Sequence, residues 1–177
     1  MHNKPEISQG VTLPEIIISV FVAGVLMAFA VPSFISVIND NRMSSAANQL
    51  ITSLAYSRSE AIKRGQQVTI KHKGATEKLW EQGWDIFTDN NGNGIMDMSD
   101  VLLKTFDELP EGYTLRSGYN FANWVAYLAT GSFRSGSGFV NDTFRLCDST
   151  KQISKSRAII VKMGRVRTEI GKVKECP

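Results

Sequence analysis

The sequence has few of the side chains on which enzymes and metal sites depend. Only two of its 177 residues are cysteine and two are histidine. Cys147 and Cys176 form no CxxC motif and have no neighbouring histidine, so we do not expect them to hold a metal. His72, the only histidine after residue 2, lies between Lys71 and Lys73. Since no nucleophile can be matched with a base, we expect no enzyme.

Charge is missing from one long stretch near the start of the chain. Ile16 to Asn39 contains no Asp, Glu, Lys or Arg and is rich in Ile, Val, Ala, Phe and Leu. About 20 such residues span a bilayer as a helix, whereas a secretory signal has an apolar run of about 7 to 15 residues with the cleavage site after it. Here the small residue Gly10 precedes the run. We therefore predict a single transmembrane helix over about residues 13–38.

The helical pattern continues beyond this run but becomes amphipathic. From Asn41 to Arg64, apolar residues recur at three- and four-residue steps, which predicts one buried face. These residues are Ala47, Leu50, Ile51, Leu54, Ala61 and Ile62. Lys63 and Arg64 are typical of a last helical turn, and Gly65 is a typical stop.

After Gly65 the pattern changes to short β-like runs separated by Gly, Asn, Asp and Ser, which predicts hairpins. The predicted strands are 67–73, 84–88, 101–106, 113–116, 124–128, 143–147 and 157–162. A long helix followed only by antiparallel strands is an α+β fold. We expect five aromatic residues in its core, namely Trp80, Trp84, Phe87, Phe106 and Trp124. We interpret 131–138, which has three glycines and three serines, as a mobile loop without the GK[ST] of a phosphate-binding loop.

The segment Gly10-Val11-Thr12-Leu13-Pro14-Glu15, followed by an apolar helix, resembles the signal of a type IV prepilin, although Val11 replaces the usual Phe. The resemblance implies that a prepilin peptidase cuts after Gly10 and methylates Val11. It also implies that Glu15 pairs with the N-terminal ammonium of a neighbouring subunit. The alternative for Glu15 is a carboxylate at the membrane interface with no such partner.

Two further sequence motifs narrow the resemblance to one family. Ser57-Arg58-Ser59-Glu60-Ala61-Ile62-Lys63-Arg64-Gly65 and Gly164-Arg165-Val166-Arg167 resemble minor pilins and pseudopilins of the FimT/GspH family, and the second resembles FimT in particular. The resemblance implies a leader at 1–10, an N-terminal helix at 11–64 and a β-rich head at 65–177. It also implies anchoring in the inner membrane with the head in the periplasm, and then assembly with major and minor pilins into a filament.

In such a location the two cysteines are expected to pair, because oxidising compartments preserve disulfides. The alternative is two buried free thiols. A bond between Cys147 and Cys176 would close a loop that contains Arg165 and Arg167, and we expect it to tie the C-terminal tail to the sheet.

Positive charge is concentrated in that tail. The whole chain carries +3, but residues 151–177 carry +6. Arg165 and Arg167 are two residues apart, so on a strand over 164–170 they share one face, roughly 6.6 Å apart, with Val166, Thr168 and Ile170 facing inward. Two guanidinium groups on an exposed face can bind successive phosphates without reading bases. The other cations expected to contribute are Lys172, Lys174, Lys162, Arg157 and Arg134.

The FimT resemblance implies DNA uptake during natural transformation, so we predict weak, sequence-independent DNA binding through the tail. The first alternative for the tail is a solvated basic edge strand, in which lysines discourage aggregation. The alternative for the whole protein is a structural role, either as a minor pilin that primes pilus assembly or as a pseudopilin of a type II secretion system.

A second candidate site lies at residues 89–100, where oxygen-bearing side chains recur at calcium-loop spacing with Gly at the sixth position. The candidate ligands are Asp89, Asn91, Asn93, Asp97 and Asp100. The last position is Asp instead of a bidentate Glu, and the flanks are predicted strands. Because two Asn-Gly pairs also suit a tight hairpin, we favour a turn over a calcium site, and we expect no obligatory cofactor.

Overall fold

The structure of the protein is a computed structural model that describes residues 10–173 and Cys176. The leader before Gly10 lies outside the described residues. The helix α1 runs over Leu13–Arg64 and ends at Gly65, whose φ of 68° is the left-handed conformation common at helix C-termini. The predicted helix end is confirmed. The chain divides into two compact units, one up to Asp40 and one from Asn41 onward.

The first unit consists of the apolar half of α1. Its most hydrophobic window has a mean hydropathy of 2.4 and none of it is buried within the chain. By length and composition this segment is able to cross a membrane. At its start, Glu15 lies in the first turn, where the positive end of the helix dipole stabilises a carboxylate.

The second unit, which we call the head, contains the rest of α1 and, among its described residues, nine strands in two antiparallel sheets. The strands are β1 (Val68–His72), β2 (Trp84–Thr88), β3 (Leu102–Phe106), β4 (Thr114–Arg116), β5 (Trp124–Tyr127), β6 (Phe133–Ser135), β7 (Asn141–Cys147), β8 (Arg157–Lys162) and β9 (Arg165–Ile170). The first sheet has the order β3-β2-β1-β5-β6 and the second has the order β4-β7-β8-β9. The predicted α+β fold is confirmed.

The predicted strands are all present, with ends that shift by no more than two residues. The prediction of a loop over 131–138 is wrong in its centre, because Phe133–Ser135 forms β6 and pairs with β5. Phe133 is buried against Phe121 and Tyr127 at the edge of the first sheet. The glycines and serines around it form the turns on either side, and they concealed a strand of three residues.

The second half of α1 packs one face into the core. Ala47, Leu50, Leu54 and Ala61 are buried as predicted, whereas Ile62 is 54% exposed and lies beside the core. Two serines also face inward. One of them, Ser53, accepts a hydrogen bond of 2.9 Å from the indole N–H of Trp84. The buried indole therefore has a hydrogen-bond partner for its polar N–H group.

Aromatic side chains fill the head. Trp80, Trp84 and Phe87 are almost fully buried, as predicted, while Phe106 and Trp124 are only partly buried. The ring of Trp80 meets that of Phe144 edge-on at 5.0 Å between centroids, and its N–H donates to the carbonyl of Phe121 at 3.1 Å. Such contacts explain the role of these aromatics without a ligand.

Candidate functional site

The two arginines of the Gly-Arg-Val-Arg motif, Arg165 and Arg167, lie on the last hairpin of the second sheet. β8 and β9 are joined by Met163 and Gly164, both with positive φ (50° and 77°), as a two-residue hairpin turn requires. Opposite residues share a face of the sheet, and the register sets Lys162 opposite Arg165 and Ile160 opposite Arg167. Arg165, Arg167 and Lys162 are all exposed on that face, which we call the basic face.

The turn of this hairpin is held from behind. The buried hydroxyl of Tyr127 donates to the carbonyl of Gly164 at 3.1 Å, and burial raises the pKa of Tyr127 to about 12, against a smaller opposing effect of the Arg58 charge. A Cβ at position 164 would lie 3.0 Å from that of Phe133. Glycine therefore suits both the backbone conformation and the available space, and the start of β9 is fixed in position.

The inward side of β9 differs from the prediction. Val166 packs on the core, but Thr168 and Ile170 are exposed, Ile170 by 63%. β9 is an edge strand, and its far end passes beyond the core, since Ile170 lies opposite Arg157 and not opposite an apolar residue. The alternation of the strand is thus retained although only its first half is covered.

Arg157 does not belong to the basic face, so its inclusion among the DNA-binding residues is wrong. It is only 8% exposed and lies on the side of β8 that carries Ile159 and Val161. Its guanidinium donates to the carbonyl of Lys155 at 2.7 Å. A guanidinium used in this way stabilises the turn before β8 and is not available to a phosphate.

Arg134 is also misplaced by the prediction, because it lies on β6 in the other sheet. Its guanidinium carbon is 5.8 Å from the ring centroid of Trp124, and the group donates to the side-chain carbonyl of Gln67 at 3.2 Å. Arg134 therefore borders the turn after β2, not the basic face.

The tail returns across the outer side of the second sheet. Cys147 and Cys176 form a disulfide with Cα atoms 5.8 Å apart, and together with Val173 and Ala158 they make a small second core. The prediction that the bond ties the tail to the sheet is confirmed. Lys172 is exposed at this end, whereas Lys174 lies outside the described residues.

Two arginines near the predicted cations were missed. Arg145 of β7 lies opposite Ala158, which puts it on the same side of the sheet as the basic face, and it lines a cavity of about 290 Å³ with Lys172. Arg58, on α1, lines a cavity of about 460 Å³ with Lys162 and Arg165. Period-two alternation back from Cys147 would have indicated Arg145. No sequence pattern indicates that Arg58 meets β8, because their separation is over 100 residues.

The cations differ in how far they are neutralised. Arg167 pairs with Glu169 at 2.9 Å between Nη2 and Oε1, so part of its charge is compensated on its own strand. Within residues 10–173 and Cys176, no carboxylate forms an ion pair with Arg58, Lys162 or Arg165. The uncompensated positive charge is thus concentrated around the β8–β9 turn.

The candidate calcium segment, 89–100, connects β2 to β3, and we call it the acidic loop. Asp89 is buried, and its carboxylate accepts four hydrogen bonds, from Gln67, Thr69, Asn93 and Gly94. The other oxygen-bearing side chains accept bonds from loop N–H groups as well. These acceptors are Asn91, Asn93, Asp97 and Asp100.

The hydrogen bonds of Ser99 lower the pKa of Asp97, as expected for a carboxylate that is stabilised as an acceptor. Among the residues that the structure describes, no group of three or more His, Cys, Asp and Glu side chains is placed to hold a metal ion. The carboxylates of the loop accept hydrogen bonds from its own backbone, and the preference for a turn over a calcium site stays a prediction.

The residues predicted to take part in leader processing lie at the start of the described chain. Gly10 and Val11 are exposed and precede α1, and the Glu15 carboxylate accepts a hydrogen bond of 3.5 Å from the N–H of Thr12. His72 is buried beside Trp80, and burial, followed by the charge of Lys71, lowers its pKa.

The fold resembles those of two solved pilus-type proteins. Type IV minor pilin FimU of Pseudomonas aeruginosa matches with a TM-score of 0.60 and 20% identity, over 77% of this chain and 96% of that one. Minor pseudopilin EpsH of the Vibrio cholerae type 2 secretion system matches with a TM-score of 0.53 and 13% identity, over 75% of this chain and 99% of that one. No curated protein matches the chain in sequence.

A family model shows membership directly. Residues 46–164 match the family described as type II transport protein GspH, which is more than half of the chain. The match ends at Gly164, so Arg165 and Arg167 lie just beyond it, and the particular resemblance to FimT stays a prediction. The chain therefore belongs to the GspH family, and its fold is like those of FimU and EpsH.

Proposed function

We propose that this protein is a minor pilin of a type IV pilus that binds DNA without sequence specificity and supports DNA uptake in natural transformation. The observation that carries the proposal is the basic face, where Lys162, Arg165 and Arg167 are exposed together on one hairpin. Lys162 and Arg165 have no carboxylate partner within the described chain. A surface that leaves a guanidinium and an ammonium group unpaired is suited to phosphate oxygens.

In this proposal the apolar half of α1 anchors the chain in the inner membrane, with the head in the periplasm. Prepilin peptidase then cuts after Gly10, and Glu15 meets the new N-terminus of a neighbouring pilin in the filament. The disulfide stabilises the head in that oxidising compartment. Because it encloses β9 within a closed loop, it also keeps the basic face in place on the assembled subunit.

A gel-shift titration tests DNA binding. The full chain in detergent micelles is compared with its Arg165→Gln/Arg167→Gln variant on a short DNA duplex of random sequence. Few phosphate contacts imply a modest affinity and a shallow dependence of that affinity on salt. The variant is expected to lose most of the affinity and most of its salt dependence. Arg42→Gln/Lys63→Gln, which removes two exposed charges from α1, serves as the control of equal net charge. Equal binding by the wild type and the β9 variant would refute the proposal.

The second candidate function is a purely structural one, as an assembly-priming minor pilin or a minor pseudopilin of a type II secretion system. The description of the matching family and the likeness to EpsH favour it, and the basic face would then contact another subunit. A deletion strain separates the two functions. Loss of transformation with normal piliation supports DNA uptake, whereas loss of pili or of secreted enzymes supports the structural function.

A further inference from the structure

The basic face continues around the β8–β9 turn into a cavity that the tail sequence does not indicate. The cavity, of about 460 Å³, is bounded by the second half of α1, the turn after β5 and the β8–β9 turn. We call it the basic cavity. Each of its sides contributes polar groups, which are the cations of Arg58, Lys162 and Arg165 and the hydroxyls of Thr130 and Ser132.

The three cations of the basic cavity share no counter-charge. Neither an ion pair nor a side-chain hydrogen bond joins Arg58, Lys162 or Arg165 to another residue in the described part of the chain. Like charges that converge without a carboxylate repel one another, and a bound anion removes that cost. Guanidinium and hydroxyl donors around one concave site match the several acceptor oxygens of a phosphate group.

The walls of the basic cavity include backbone turns that are fixed by hydrogen bonds, in addition to long side chains. Gly131, with a φ of 76°, brings the turn close to α1, since a Cβ there would lie 3.3 Å from the Nε atom of Arg58. The turn is closed by a backbone hydrogen bond of 2.8 Å from Gly131 to Leu128. On the other side, the bond from Tyr127 to Gly164 holds the β8–β9 turn.

Arg165 and Lys162 also line a second cavity, of about 210 Å³, together with Arg167. The two cavities therefore meet at Arg165 and Lys162. The separation of Arg165 from Arg167 along β9, roughly 6.6 Å, is of the order of the spacing of successive phosphates on one nucleic-acid strand. One strand can thus place adjacent phosphates in the two cavities.

We propose that the basic cavity binds one backbone phosphate of DNA, held by Arg58, Lys162 and Arg165, and that the strand continues from there onto Arg167. The inference rests on the proposed DNA-binding function and extends it, because it assigns a phosphate contact to the α1 side of the head instead of to the tail alone. Arg58 is a binding residue in this arrangement. The hydroxyl of Ser132, which accepts a hydrogen bond of 2.9 Å from that of Thr130, is an additional donor.

The experiment measures the salt dependence of DNA affinity for the full chain in detergent micelles. Arg58→Gln is compared with Arg42→Gln, which removes the same charge from the same helix about 24 Å away along its axis. Both arginines are exposed, so neither change is expected to disturb folding, and the melting temperature of each variant checks this. Arg58→Lys keeps the charge and is expected to restore part of the affinity.

Arg58→Gln is expected to weaken binding about tenfold and to reduce the salt slope by about 1, the value for one phosphate contact. Arg42→Gln is expected to change neither. If Arg58→Gln behaves as Arg42→Gln while Arg165→Gln/Arg167→Gln still weakens binding, the basic cavity is not a phosphate site but the DNA-binding proposal stands. If the β9 variant also binds normally, both proposals fail.

Discussion

Two charged segments of the head use their charge in opposite ways. In the acidic loop, the carboxylate of Asp89 accepts four hydrogen bonds from its own surroundings, and Asp97 and Asp100 cap neighbouring backbone N–H groups. At the basic face and basic cavity, by contrast, Arg165 and Lys162 have no carboxylate partner within the described residues. Charge that is consumed by the fold stabilises it, whereas charge that the fold leaves unpaired is available to a partner.

The largest expected effect concerns the covalent tie that holds the basic region. Cys147→Ser/Cys176→Ser opens a loop of sequence separation 29, which on the chain-entropy model lowers the free energy of unfolding by about 3.5 kcal/mol. Urea denaturation of the oxidised wild type and of the variant measures it. The acidic loop is held by hydrogen bonds and not by a disulfide. If the cysteine variant is as stable as the wild type, the disulfide is not what stabilises the basic region.

The next effect concerns the acidic loop itself. Asp89→Ala leaves the Thr69 hydroxyl and the loop N–H groups without their acceptor, and we expect the unfolding free energy to fall by about 3 kcal/mol. Arg165→Gln, on the surface, is expected to change it by less than about 0.5 kcal/mol. Denaturation midpoints compare the two. Similar losses in both variants would show that the basic face, too, serves folding.

The third effect separates the two arginines of β9. Because Glu169 already neutralises part of Arg167, Arg165→Gln is expected to weaken DNA binding more, by about tenfold against about threefold for Arg167→Gln. Fluorescence anisotropy with labelled DNA gives both constants. Glu169→Gln should strengthen binding slightly, and an unchanged or weaker affinity for that variant would contradict the importance of the pairing.

A smaller effect is expected from pH. The pKa of His72 is lowered by burial, so the unfolded chain binds a proton more readily than the folded one, and stability falls as pH drops through about 6.5. The pKa of Asp97 is also lowered, and its contribution is lost only below about pH 4. Thermal melts across this range test the order, with His72→Gln expected to remove the first step and keep the second.

The smallest effect is expected from metal. Since the carboxylates of the acidic loop already serve as hydrogen-bond acceptors, the head is expected to melt at the same temperature in calcium and in chelator. Differential scanning fluorimetry measures both. A clear rise in melting temperature with calcium, abolished by Asp97→Asn, would instead establish the loop as a calcium site.

Most of the fold follows from local patterns in the sequence. The helix end at Gly65 and the strands Trp84–Thr88 and Arg157–Lys162 were predicted to the residue, because a glycine stop and alternating apolar residues act over a few neighbours. β6 was missed because only three residues pair in it, and Ile62 was misassigned because the edge of a helix face is not set by periodicity alone.

The candidate site was predicted less completely, since it depends on which strands become neighbours. The two-residue spacing of Arg165 and Arg167 was sufficient to put them on one face. Arg157 belongs to the same basic tail, but its side chain lies on the inner side of β8. Arg58 reaches the site only through tertiary packing of α1 beside the β8–β9 turn, which no local pattern encodes.

The most direct test of the central claim replaces Arg165 and Arg167 by Gln in the chromosomal gene and measures transformation together with piliation and secretion. Both side chains are exposed, so the variant subunit is expected to fold and assemble normally. If unpaired charge on β9 serves DNA, transformation falls while pili and secreted enzymes remain at wild-type levels. Transformation at the wild-type level, or a loss of pili or of secretion in this variant, would contradict the account.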